Sequence, residues 1–178
     1  MVFGSCVQNN SSYDNYEEVI NTVLNTELSD INLLITDTDP VRLDSFPDHN
    51  TITIKYLELY SNKRYIRKKD ISYILDQVKN SKSEKLDPDK FSINTMTRDE
   101  IDGIFKSMGL DSAINYLHKK DIKRIGYFLS PLFSKDRSVV IFWAVEWMDP
   151  LAAHGYIFIF KRKSNEWKMI EKGHTFVS

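Results

Sequence analysis

Two hydrophobic rhythms divide this chain. Before about residue 120 the apolar positions recur mostly at helical spacing, and from Ile125 onward they alternate or run continuously, as strands do. In the first part, Tyr16, Val19, Ile20, Val23, Leu24 and Leu28 share one helical face, and Asp14 with Glu17 has capping-box spacing. An amphipathic helix is therefore expected to about Leu28. Ile31 to Ile35 reads as a short strand, and Thr36 to Asn50, rich in Asp and Pro, as a long loop. Thr51 to Tyr60 alternates Ile52, Ile54 and Tyr56 against Thr53 and Lys55, which predicts a strand with a register shift near Leu57.

Asp70 is placed to cap a second helix whose stripe is Ile71, Ile74, Leu75 and Val78. Ser81 to Asp89, with Asp87-Pro88-Asp89, reads as a linker inside the domain. Thr97 and Glu100 form a further capping box ahead of Ile101, Ile104, Phe105 and Met108. Gly109 stands where a left-handed terminal residue is wanted, with Leu110 behind it for the usual apolar contact. A looser helical turn is expected over Ser112 to Leu117.

Four apolar runs follow: Ile125 to Phe133, Val139 to Met148, Tyr156 to Phe160 and Trp167 to Ile170. Short turns with turn chemistry separate them, so the strands should pair in sequence order. Val139 to Met148 is apolar on both faces except at Glu146, which predicts a central strand with helices covering one side. The fold class expected is α+β: an N-terminal helix and two further helices on a mainly antiparallel sheet that ends in a four-strand C-terminal meander. Residues 1–12 are read as a flexible N-terminal tether and 13–178 as a single domain.

Composition agrees with a globular chain: 178 residues, 42% hydrophobic and 28% charged, suit one domain with a sizeable core. The net charge of −1 hides an asymmetry. Residues 1–60 hold ten acidic side chains against Arg42 and Lys55, and the remainder holds 22 basic against 15 acidic. The plain interpretation is that the two halves attract each other within one fold.

The single cysteine, Cys6, excludes a disulfide framework and a multi-cysteine zinc site. Phe3-Gly4-Ser5-Cys6 looks like the end of a bacterial lipoprotein signal, and Gln8 to Ser12 like the polar tether after it. Five residues cannot supply the basic start and apolar run that such a signal needs. Two readings stand: lipidation at Cys6 on a chain whose native start lies upstream of Met1, or an incidental thiol in a disordered N-terminus. The first carries the expected location, the periplasm or an outer-membrane-attached lipoprotein; the other is cytoplasmic.

The C-terminal third carries a recurrent pattern. It comprises Leu129-Ser130-Pro131-Leu132-Phe133-Ser134-Lys135-Asp136, Val139 to Trp147, His154-Gly155-Tyr156, Phe160-Lys161-Arg162-Lys163, Trp167-Lys168 and Thr175-Phe176-Val177-Ser178. This resembles a family of small uncharacterised proteins of Bacteroidetes-type bacteria, many of them lipoproteins. The resemblance covers about a third of the chain and implies a fold and a compartment, with no catalytic residue to carry over. The chain departs from that family in the turn Met148 to Gly155, where relatives are usually glycine-rich and often carry cysteines.

Recognisable hydrolase, nucleotide and metalloprotease motifs are absent. The candidate chemistry is sparse. Glu146, Asp149 and His154 lie close in sequence and offer a general base or a metal site. Asp37 and Asp39, in a loop with Asp44 and Asp48, offer oxygen ligands without an EF-hand pattern. Lys63, Arg64, Arg67 and Lys68 surround Tyr65 and form a candidate interaction surface, which Lys119, Lys120, Lys123 and Arg124 could join in space. Trp143, Trp147 and Trp167 are candidates for lining a cavity, although aromatic stripes on strands usually form core.

The function expected is a non-enzymatic binding module on the bacterial cell envelope, for instance an immunity-type protein. Another protein is the expected partner, with no nucleic acid, no cofactor, and membrane contact only through Cys6. The alternative is a small envelope hydrolase or metal-dependent enzyme using the 146–154 turn.

Overall fold

The computed structural model describes residues 16–43, 51–52, 54–149, 152–164 and 166–177. The first half contains helix α1 (Tyr16–Thr26), strands β1 (Leu33–Ile35), β2 (Arg42–Leu43) and β3 (Thr51–Ile52), and helices α2 (Ile54–Asn62) and α3 (Asp70–Lys79). A single 3-10 turn (Pro88–Lys90) leads to β4 (Asn94–Met96) and then to helices α4 (Arg98–Met108) and α5 (Leu110–Lys119). Strands β5 (Ile125–Phe128), β6 (Leu132–Phe133), β7 (Val139–Asp149), β8 (Ala152–Lys163) and β9 (Glu166–Val177) complete the fold.

The class is α+β, and the C-terminal strands form the expected meander. The main sheet runs β4-β1-β5-β7-β8-β9, with β6 beside β7. β5, β6, β8 and β9 enter through antiparallel pairings, whereas β1 lies parallel to both β4 and β5. β2 and β3 make a separate parallel pair.

β7 is central, and its alternation splits the core in two. Val140, Phe142 and Ala144 point to the face covered by α1, where Val19, Ile20, Val23 and Leu24 meet Phe128, Phe158 and Phe160. Phe142 stacks on Phe158 at 5.6 Å and on Phe160 at 5.9 Å. Ile141, Trp143 and Val145 point the other way, against Leu57 and Tyr60 of α2 and Ile74 and Val78 of α3. On that second face, α4 and α5 bring Ile101 and Leu117 onto Leu33, Ile35 and Ile125. The helices therefore cover both faces of the central strand, not one as its sequence predicts.

Two more expectations need correction. Thr51 to Tyr60 is not one strand: after Ile52 the chain turns into α2, because Leu57 and Tyr60, three apart, are the positions that bury, and Tyr56 stacks on Tyr60 one turn away. Ile125 to Phe133 is two short strands: Leu129 N–H still bonds Trp143 O, but Ser130 N–H turns to Asp39 O and Pro131 has no N–H to give. β4 lies between the linker and the Thr97 capping box, where the sequence offers no element.

The capping box at Thr97 and Glu100 is present as expected. Glu100 N–H donates to Thr97 Oγ1, and Thr97 N–H donates to the Glu100 carboxylate at 2.7 Å. Gly109 has φ 74°, where a side chain would be strained, and it lets α5 start at once instead of a loose turn. Leu110 is 52% exposed and lines a cleft with Phe105 of α4. Asp70 opens α3 but does not cap it. Its buried carboxylate turns back to accept from Arg67 Nε at 2.7 Å and Nη2 at 3.0 Å.

The two charge-biased halves do meet. Glu17 pairs with Lys90, Glu27 with Lys172, Asp30 with Arg124 and Asp39 with Arg98. Among the described residues, no helix is long and apolar enough to cross a membrane.

Candidate functional site

β7 and β8 bring two of the predicted site residues together. Glu146 faces His154 across the ladder, and Tyr156, two residues along β8, shares their face. Glu146 is 3% exposed, and its carboxylate is engaged on both oxygens. Arg124 Nη1 donates to Oε1 at 2.6 Å, and the Tyr156 hydroxyl to Oε2 at 3.3 Å. The same hydroxyl lies 3.3 Å from His154 Nδ1. His174, which the sequence gives no reason to include, stacks on Tyr156 at 4.9 Å.

Arg124 reaches past Glu146 toward Asp30 behind α1, so the cluster ties the meander to the end of that helix. The Glu146 hydrogen bond holds the Arg124 guanidinium more firmly protonated than usual. Burial first, then the nearby Glu146 charge, pushes the Tyr156 phenol up, so it remains a neutral donor. Chemically this is a strut of paired charges rather than a base awaiting a substrate. The side chain of Asp149, the third member of the predicted group, lies outside the described residues, as does Cys6.

Asp37 and Asp39 converge on one residue, Arg98 at the start of α4. Arg98 N–H donates to Asp37 Oδ2 at 2.6 Å, and its guanidinium donates to Asp39 Oδ2 at 3.1 Å. That guanidinium also sits 4.7 Å over the Tyr127 ring. Burial raises the Asp39 carboxyl, with Arg98 pulling it back. These carboxylates anchor a helix N-terminus, where their charge is favoured. Among the described residues no group of three or more His, Cys, Asp or Glu side chains is placed to hold a metal ion.

The basic segment after α2 is partly neutralised. Lys63 pairs with Glu171 of β9 at 2.9 Å, and the Tyr65 hydroxyl donates to the same carboxylate at 2.6 Å. Arg67 bridges Asp70 and Asp136. Arg64 and Lys68 are exposed.

On the face opposite Glu146, an apolar cleft of about 310 Å³ opens between α4, α5 and the end of β7. Phe105 of α4, Leu110, Ile114 and Leu117 of α5, and Trp147 and Met148 of β7 line it, with Asp102, His118 and Lys123 among its polar members. Phe105 packs edge-on against Trp147 at 6.1 Å. Trp147 nonetheless remains 38% exposed, and Met108 and Leu110 at the helix junction are exposed by 44% and 52%. Of the three tryptophans, Trp143 is core and Trp167 packs beside the α1-side core, so Trp147 alone lines this cleft. Two features of the sequence could have marked it: a bulky ring near the end of an apolar run, and apolar residues on both sides of Gly109.

Compared with protein-family models, with curated proteins and with solved structures, the chain shows no match.

Proposed function

We propose that this chain is a non-enzymatic binding module that receives an apolar side chain of a partner protein in the cleft beside Trp147. One observation carries the proposal: Trp147 is left partly exposed in an apolar cleft, while the core around it is closed. Tryptophan, phenylalanine and methionine are the residues enriched where protein interfaces concentrate their energy. A volume of about 310 Å³ is at the lower limit for a small-molecule site and suits a single large side chain better.

The alternative, a small hydrolase or metal-dependent enzyme using residues 146–154, draws less support, because Glu146 is committed to Arg124 and Tyr156. For compartment we propose the cell envelope, with Cys6 lipidated. Its support is Phe3-Gly4-Ser5-Cys6, the polar run behind it and the C-terminal pattern. An immunity-type protein, whose partner is a secreted toxin, is one form of this reading. A diacylglyceryl group on the N-terminal peptide from native cells supports that compartment, and an unmodified Cys6 removes it.

The binding proposal is tested by selecting displayed random peptides on the folded protein, with counter-selection on Ile114→Glu. Enriched peptides sharing an apolar anchor, and lost on the variant, are the expected result. Peptides retained equally by both proteins, or no enrichment at all, overturn it.

A further inference from the structure

Three turns remote in sequence meet at the end of the sheet away from the cleft. They are the α2–α3 turn (63–70), the β6–β7 turn (134–138) and the β8–β9 turn with its flanks (161–168). Arg67 Nη1 bonds Asp136 at 2.8 Å, joining the first to the second. Arg162 N–H donates to Ser138 O at 2.8 Å, joining the third to the second. Together these segments hold eleven basic side chains against Asp70, Asp136 and Glu166, with Glu171 of β9 reaching in to Lys63, so the patch keeps a clear positive excess. Lys119, Lys120, Lys123 and Arg124, which sequence reasoning grouped with Lys63, belong to the region around α5 and the start of β5.

A second observation is conformational. Among the described residues, four that are not glycine have positive φ: Arg64 at 62°, Asp121 at 60°, Arg137 at 55° and Ser164 at 48°. Three of the four stand one in each of these turns, and two are arginines. Glycine or asparagine would sit there with less strain. Sparsely populated backbone of this kind clusters at functional positions, and here it puts an arginine in two of the three turns.

We propose that this end of the molecule is a docking surface for an anionic phospholipid bilayer. The charges sit on three adjoining turns, a multi-point array that needs no matched pattern in the partner. The chain as a whole is −1, so the rest is strongly acidic and is repelled by the same surface, which orients the molecule. Nucleic acid is less well served, because the aromatic rings here are occupied. Tyr65 is bonded to Glu171, while Phe133 and Trp167 lie against Arg137 and Arg162. The inference is independent of the cleft, which lies at the opposite end of β7.

The test is co-sedimentation of the full chain, without lipid modification, with mixed phosphatidylcholine–phosphatidylglycerol vesicles and with phosphatidylcholine alone. Binding is expected only to the mixed vesicles and should vanish at about 0.5 M salt, where charges are screened within a few ångströms. Arg64→Gly should weaken partitioning about fivefold, the value of one basic residue at such a surface, while melting at the same or a higher temperature. Equal binding to neutral vesicles, an Arg64→Gly variant that binds as well as the parent, or tighter retention on duplex DNA or polyglutamate would each overturn the proposal.

Discussion

Glu146 and Trp147 are consecutive on β7 and face opposite sides of the sheet, with fates the reverse of their polarity. The carboxylate is buried at 3% exposure, and the indole is 38% exposed. What decides this is the cover each face receives. On the α1 side, Arg124 comes in from the approach to β5 and supplies the charge that makes burial tolerable. On the other side, α4 and α5 part at Gly109 and leave the ring a cleft instead of a lid. Residue polarity alone does not say which position in a strand is buried and which is left exposed.

The largest break in this comparison should come from Glu146→Ala. It takes their shared acceptor from the buried Tyr156 hydroxyl and from Arg124, which keeps only Asp30, and should cost about 3 kcal/mol in a urea titration. The pair Glu146→Leu with Arg124→Met should recover most of that loss, which a catalytic carboxylate would give no reason to expect. Next, Gly126→Ala tests how tightly the charged face is built. A methyl there would lie 2.6 Å from Ile31 Cδ1, and the overpacking should cost about 2 kcal/mol. Ile31→Val in the same chain should return part of it. Trp147→Phe should have the smallest effect, about 1 kcal/mol, because it keeps a ring beside Phe105 and removes atoms that are partly exposed. A loss as large as that of Glu146→Ala would make the ring a core residue and remove the asymmetry.

The antiparallel meander was legible because its runs are long and its turns short, so each strand's partner is its neighbour. The helix beginning at Thr97 was legible because a capping box is a local device. Other parts were hidden for definite reasons. Ile52, Ile54 and Tyr56 fit a strand as well as a helix over so short a span, and only the burial of Leu57 and Tyr60 decides between them. β4 has no apolar run at all; Asn94, Thr95 and Met96 become a strand because β1 lies beside them. In the candidate site, Glu146 and His154 could be paired from their spacing across one turn. Arg124, which changes their meaning, comes from another strand approach. The convergence of Arg64, Arg137 and Ser164 was hidden for the same reason, since each turn looks ordinary by itself.

The placement of β1 between β4 and β5 also governs the order in which the chain can assemble. Leu33 needs Asn94 on one side and Ile125 on the other, and α1 rests on phenylalanines from residue 128 onward. Sheet edges that join such distant segments form slowly, because a large loop must close before any contact rewards it. During synthesis β1 must wait for β4 and β5, and α1 for the phenylalanines of the meander. The meander, built from neighbours, is the natural nucleus. A pulse of hydrogen exchange during refolding should find β7 and β8 protected before β1.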